Sequence, residues 1–289
     1  MLPLFRLLGL VGLALLMAPA QVAAIGLKLK AANRIPMMFH RGVMRIFGIS
    51  VTTEGEMRTE RPTLFVGNHI SYLDIFVIGG VIEGSFVAKA EVAGWPVAGF
   101  LAKLQRTIFV QRERRASAGA QRDMLQRRLD EGVNVILFPE GTSHDGARVL
   151  PFKSALFAPA EREAGGRPIA VQPMSLAYVT MDGLPLTRAQ RAAVAWYGDM
   201  GLLPHIWTFL KASRTQAVIR FHEPATIADH GNRRLLARAC HEQVSDGVTN
   251  LVTGRPTAPA KALPGPSPQP SPQGEAEAVA ATGATMTGP

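Results

Sequence analysis

Apolar residues fall along this chain in different rhythms. From Leu7 to Leu27 they are almost continuous, about the length needed to cross or deeply enter a bilayer. Over residues 36–48 they take helical spacing: Phe39, Val43, Ile46 and Phe47 share one face, with His40, Arg41 and Arg45 away from it. That pattern predicts an interfacial helix, with a core helix carrying a solvated basic face as its alternative. Farther on, short apolar runs predict strands at Thr63–Gly67, Ser85–Ala88, Thr107–Val110, Val133–Phe138, Ile169–Met174 and Gln216–Phe221. Helix-capable stretches separate them: Ile75–Ile82, Trp95–Leu104 with proline in its first turn, Arg114–Glu131, and Asn232–Val248 capped by Asn232. Leu184–Ala212 gives no readable period, although it holds Trp196 and Trp207. Strands alternating with helices imply an α/β fold, a mostly parallel mixed sheet flanked by helices. The expected division is a membrane anchor with its interfacial helix (1–50), one α/β domain (51–254) and a tail (255–289).

Composition sharpens that division. The last 35 residues hold eight prolines and almost no large apolar group, the signature of a disordered tail. The net charge is +9, and its placement matters more than its size. The first 50 residues carry six basic side chains (Arg6, Lys28, Lys30, Arg34, Arg41 and Arg45) and no acid. Basic residues beside a hydrophobic segment suit an anionic membrane surface better than a nucleic-acid groove. They also place the downstream domain on the cytoplasmic side. Gly9, Gly12, Pro19 and Gly26 leave both a single span and a re-entrant hairpin open. A secretory signal peptide competes, with Arg6 as its basic flank and Val22-Ala23-Ala24 as a cleavage site. One cysteine, Cys240, excludes an intramolecular disulfide and is expected to pack within a helix.

The chemistry concentrates in two turns. Thr63–Gly67 runs into Asn68-His69-Ile70-Ser71-Tyr72-Leu73-Asp74. A carboxylate at Asp74 can hold the imidazole N–H of His69 and leave the other ring nitrogen to take a proton from a hydroxyl. The bland alternative is a buried turn histidine with a capping aspartate. The second strand, Val133–Phe138, delivers Pro139-Glu140-Gly141-Thr142-Ser143. Both turns fall at carboxyl ends of strands, where parallel α/β sheets bind ligands, so His69 and Glu140 are expected to face one cleft.

The combination NHxxxxD … FPEGT resembles the 1-acyl-glycerol-3-phosphate (PlsC-type) glycerolipid acyltransferases. Thr107-Ile108-Phe109-Val110-Gln111-Arg112 resembles that family's second block and Ile169-Ala170-Val171-Gln172-Pro173 its fourth. The resemblance implies transfer of a fatty acyl group from acyl-CoA or acyl-carrier protein to the hydroxyl of a lysolipid, in the cytoplasmic membrane and with no cofactor or metal. Export would part such an enzyme from its cytoplasmic donor, which weighs against the signal-peptide reading. The resemblance makes His69 the base, Asp74 its partner, and Asn68, Arg112, Glu140, Gly141 and Thr142 substrate-binding, with amides near Gly141 and Thr142 as oxyanion donors. Arg148 and Lys153 are placed to add positive potential, and residues 92–104 to wall an acyl groove. Two departures bear on the acceptor. Arg106 stands where the second block often has glycine, and Ser143 where F-P-E-G-T-R has its phosphate-binding arginine. Lysophosphatidate, the commonest acceptor of the family, is the first expectation, and lyso-ornithine lipid the alternative. A catalytically inactive lipid-binding protein is the reading from another class.

Overall fold

Continuous apolar sequence gives α1 (Leu2–Gly26), which opens with Pro3 in its first turn. Among the described residues it is the one helix long and apolar enough to cross a membrane. The computed structural model describes residues 1–110 and 118–254, with side chains outside 111–122. The expected tail, 255–289, and Arg112 therefore lie outside the described residues.

α1 turns back into α2 (Ala31–Phe47), and the two pack through small residues: Leu13 lies over Gly42 and Ile46 over Gly9. α1 is also fastened to the domain near both its ends. The Arg6 guanidinium donates to the carbonyls of Leu210, Ala212 and Ser213, and Gln21 Nε2 donates to those of Ala32 and Leu104. Leu4, Phe5, Leu8, Leu15 and Leu16 stay exposed on its outer side. Gly48 closes α2 at φ +72°, where a Cβ would lie 2.3 Å from the Ser213 carbonyl oxygen, so only glycine fits.

α2 departs from its expected arrangement. It begins at Ala31 rather than near 36, and His40 sits on the packed face, 3% exposed, with its ring against Gly79 and Phe76. The expectation counted histidine as polar. Here its neutral ring fills core volume, and burial pushes its pKa down to about 4. Arg41, also assigned to the solvated face, donates to the Gly80 carbonyl at 2.7 Å.

The sheet follows in β1 (Ile49–Glu54), β2 (Thr63–Gly67), α3 (Leu73–Gly79), β3 (Gly84–Lys89), a 3-10 turn (Ala90–Gly94), α4 (Ala98–Leu104), β4 (Ile108–Val110), α5 (Ala118–Asp130) and β5 (Asn134–Leu137). After a 3-10 stretch (Ser154–Glu161), β6 (Glu163–Ala164) and β7 (Arg167–Pro168) form a small ribbon. Then come β8 (Ala170–Met181), β9 (Leu184–Pro185), a 3-10 turn (Arg188–Ala193), α6 (Leu202–Phe209), β10 (Thr215–Phe221), α7 (Ile227–His230) and α8 (Arg233–Thr253). The strand order is β1-β10-β8-β2-β5-β3-β4, with β9 beside β8. β10 and β9 run antiparallel to β8, and the other pairings in this sheet are parallel.

The central strands are buried along their whole length, which explains their unbroken apolar runs. Alternate side chains serve opposite layers. Phe65 and Ile136 join Val43, Phe47, Leu73 and Phe209 on the face covered by α2, α3 and α6. Leu64, Val66, Val135 and Leu137 join Leu129, Phe157, Leu236 and Cys240 on the face covered by α5, α8 and the 3-10 stretch. Cys240 lies within α8, and Asn232 caps that helix by accepting from the amides of Arg234 and Leu235. Because β2 and β5 are parallel neighbours, with Val66 opposite Leu137, their carboxyl ends deliver residues 68–74 and 138–142 side by side.

Candidate active site

The loop between β2 and α3 is held at nearly every backbone position. Asn68 comes first. β2 ends at Gly67, opposite Met174 of β8, and the Asn68 side chain continues the ladder: Nδ2 donates to the Leu176 carbonyl at 2.9 Å and Oδ1 accepts from its amide at 2.8 Å. Asn68 is 2% exposed, and its amide is engaged by β8. This corrects its expected place among substrate-binding residues, since a sequence motif does not disclose that a side chain imitates a strand.

His69 is braced above and below. Its amide donates to Glu140 Oε1 at 2.7 Å, and its carbonyl accepts from His144 N at 3.0 Å. The Ile70 carbonyl accepts from Trp196 N at 3.0 Å. Asp74, in the first turn of α3, is wholly buried and gathers the remaining donors. Its Oδ2 accepts from the amides of Ile70 (2.6 Å) and Ser71 (2.9 Å) and lies 2.8 Å from His69 Nδ1, while Oδ1 accepts the Tyr178 hydroxyl at 2.9 Å. A carboxylate facing so many donors is an acceptor only, so the shared proton belongs to Nδ1 of the neutral ring. Nε2 then carries a lone pair and has no partner among the described residues. The imidazole lies flat on Phe138, with centroids 4.2 Å apart and planes 11° from parallel, and its side chain is 22% exposed. The arrangement suits a base: an oriented imidazole, backed by a buried carboxylate, with one nitrogen open to solvent.

Tyr178 and Phe138 are the components that sequence reading missed. Tyr178 lies on β8, which runs past the expected end at Met174 to Met181 and brings the hydroxyl to Asp74. Burial and the neighbouring Asp74 hold its pKa well above the usual phenol value, so it remains a donor. Tyr178→Phe should keep the packing and lose about 1.5–3 kcal/mol of stability, the worth of a hydrogen bond to a charged group, with a several-fold lower rate, measured by thermal melt and acylation assay.

Glu140 meets His69 as expected, but through the backbone. Oε1 holds the His69 amide and Oε2 the Leu150 amide at 2.8 Å, and the residue is 3% exposed. The carboxylate ties the β5 turn to the His69 loop and to the chain ten residues on. This fits a role in organising the loop better than the expected substrate contact. Glutamine offers one acceptor, so its amide group would confront a backbone N–H. Glu140→Gln should therefore destabilise the fold by about 1–3 kcal/mol, read from its melting temperature. Burial, outweighing the two amide bonds, pushes the Glu140 pKa up to about 7 from an ordinary 4.5. The raised value means that its contribution to stability is present below about 4.5 and falls away as pH rises through about 7. That pH dependence should be absent in Glu140→Gln.

Gly141 takes φ +75° in the turn, and its amide donates to the Phe138 carbonyl at 3.1 Å. It is thus already engaged, contrary to the expected oxyanion role. Thr142, Arg148 and Lys153 are exposed. Arg112 falls outside the described residues.

Leu184–Ala212, unreadable in sequence, covers the site. Trp196 packs edge-on against Tyr72 and Trp95, and Tyr197 stacks with His144. Trp95, Val97 and Phe100 reach the surface from the segment expected to wall a groove. Two other nucleophile candidates are closed. Ser175 Oγ lies 2.7 Å from His222 Nε2, but it is fully buried and donates to the Val244 carbonyl. Cys240 is 1% exposed, and burial pushes its thiol up to about 12.

An α/β sheet that presents an oriented imidazole, backed by a buried carboxylate, at the carboxyl ends of its parallel strands is suited to an enzyme that takes a proton from a substrate hydroxyl. Comparison with known proteins agrees. The family model described as Acyltransferase matches residues 48–177. The chain is 41% identical over 249 residues to a lyso-ornithine lipid O-acyltransferase of Brucella abortus, covering 85% of this chain and 93% of that one. It is 31% identical over 217 residues to a 1-acyl-sn-glycerol-3-phosphate acyltransferase of Neisseria meningitidis, covering 74% and 81%. The crystal structure of PlsC from Thermotoga maritima shares the fold, with a TM-score of 0.54 and 22% identity over 76% of this chain and 79% of that one. The chain belongs to the glycerolipid acyltransferase family and is an O-acyltransferase acting on lysolipids.

Proposed function

We propose that the chain moves a fatty acyl group from acyl-CoA or acyl-carrier protein to the free hydroxyl of lyso-ornithine lipid, at the cytoplasmic face of the inner membrane. The observation that carries this reading is the greater likeness to a relative named for lyso-ornithine lipid, 41% against 31% for the one named for lysophosphatidate. Ser143, standing where the F-P-E-G-T-R pattern has arginine, supports it. It reverses the order of acceptors expected from the motifs alone.

In this mechanism His69 Nε2 takes the hydroxyl proton as the substrate oxygen attacks the thioester carbonyl. Asp74 stabilises the imidazolium that forms. When the tetrahedral intermediate collapses, the carbon–sulfur bond breaks and the imidazolium returns its proton to the departing thiolate. No enzyme nucleophile takes part. Arg112 and Thr142 keep their assignment as acceptor contacts in this proposal.

The test is acylation by detergent-purified protein offered lyso-ornithine lipid and lysophosphatidate separately, with each donor type. Product from lyso-ornithine lipid supports the reading. Product from lysophosphatidate alone would keep the mechanism and replace the acceptor. Failure with both, by folded protein, would favour a lipid-binding role.

A further inference from the structure

α6 (Leu202–Phe209) carries no Asp, Glu, Lys or Arg. Its inner side is engaged with the domain. Phe209 packs edge-on against Phe47, and His205 Nδ1 lies 3.1 Å from the hydroxyl of Tyr72, which stands between His69 and Asp74 in the chain. Its outer side presents Leu203, 77% exposed, with Trp207 one turn on and Pro204 and Thr208 beside them. A helix that faces water ordinarily puts charge there. This face adjoins another apolar surface. Arg6 donates to the carbonyls of Leu210, Ala212 and Ser213, directly after α6, which joins the helix to the first turns of α1 and to their exposed Leu4, Phe5 and Leu8. At the joint the exposed side chains become basic, at Lys211 and Arg214. Asp182, which accepts from the amides of Ser213 and Arg214, offsets part of that charge.

We propose that the outer face of α6 is a second membrane contact, with Leu203 and Trp207 among lipid acyl chains and Lys211 and Arg214 toward anionic headgroups. The proposal rests on the membrane location given above and is independent of the acceptor. Trp207 suits that level, since an indole settles where apolar chains meet polar heads. A leucine moved from water into acyl chains is stabilised in proportion to its apolar area. Joined to the face of α1, the patch is contiguous, unlike leucines scattered singly over a surface. A bilayer has both the extent to cover two adjoining helices and the negative charge that complements Lys211 and Arg214. The consequence is mechanical. α6 touches the membrane on one side and Tyr72 on the other, so it holds the His69 loop at a fixed level beside the lipid that must enter.

The experiment uses full-length protein reconstituted with phosphatidylethanolamine–phosphatidylglycerol vesicles whose acyl chains are brominated. Bimane is attached at Leu203→Cys or, as control, at Leu235→Cys. Cys240 is buried and escapes labelling. Leu235 is also exposed, but it lies on α8, across the sheet from α6. Bimane at 203 should shift to the blue and lose most of its emission to the brominated chains, and bimane at 235 should do neither. Leu203→Gln should raise KM for a vesicle-borne acceptor by about tenfold with kcat kept, the worth of one leucine's burial. Four results would overturn the contact while the membrane location stands: a label at 203 that stays in water on vesicle-bound protein, equal quenching at both positions, shielding of 203 without vesicles by pairing of two copies, or a KM unmoved by Leu203→Gln. Protein that does not sediment with the vesicles would sink the membrane location and the contact with it.

Discussion

His69→Ala is expected to lower kcat/KM by about a hundred- to ten-thousandfold while leaving the protein folded. A hydroxyl attacks poorly unless a positioned base removes its proton, and the lost rate is what such a base supplies. The fold should survive because the imidazole is partly exposed, and the loop is held by its backbone rather than by that ring. The amide of His69 stays on Glu140, its carbonyl on His144, and the amides of Ile70 and Ser71 stay on Asp74. A melting temperature within a few degrees of wild type, beside a collapsed rate, is the pattern expected. A variant that loses both together would point to a structural histidine, the bland alternative in the motif.

Asp74 should behave differently, because it is the hub of the loop. Asp74→Ala leaves the amides of Ile70 and Ser71, the His69 ring and the Tyr178 hydroxyl without their acceptor, all of them at a buried position. The stability loss should be on the order of 3–5 kcal/mol, seen in a denaturant melt, and activity should fall with it. Asp74→Asn separates charge from structure. Its oxygen can take the place of Oδ2 and keep the loop amides and Nδ1–H, while its NH₂ donates to a reoriented Tyr178 hydroxyl. What disappears is the negative charge beneath the imidazolium. Asp74→Asn should therefore melt well above Asp74→Ala and still lose about ten- to a hundredfold in kcat/KM, the worth of a charge-assisted bond. Equal stability of the two variants would contradict the hub arrangement.

Much of this architecture is legible in the residues, for reasons that also mark where legibility ends. β2 and β5 are buried on both faces, so their apolar runs are unbroken and end where the chain turns. Asn232 announces the start of α8 because a cap is a local event. His69 and Asp74 are likewise local, five residues apart around one turn. What the chain conceals is pairing at long range. β8 reads as a short strand that ends at Met174, yet it continues to Met181 by exchanging its parallel partner β2 for antiparallel β10. That continuation alone brings Tyr178 to Asp74. His40 looks polar in a periodicity count and lies in the core. Asn68 and Glu140 look like ligands because their residue types bind ligands, and both are engaged with backbone of distant strands and turns. Arg6, at the edge of a hydrophobic helix, looks like a membrane flank and instead fastens α1 to the carbonyls of 210–213.

The most direct test of the central claim is the release of free thiol from the acyl donor, followed with and without a lyso-ornithine acceptor, in wild type and His69→Ala. Direct attack by a hydroxyl on the thioester predicts release that requires the acceptor, stops with an acceptor lacking its hydroxyl, and collapses in His69→Ala. An acceptor-independent burst of thiol, or unaltered release from the variant, would contradict His69 as the base that activates the lipid.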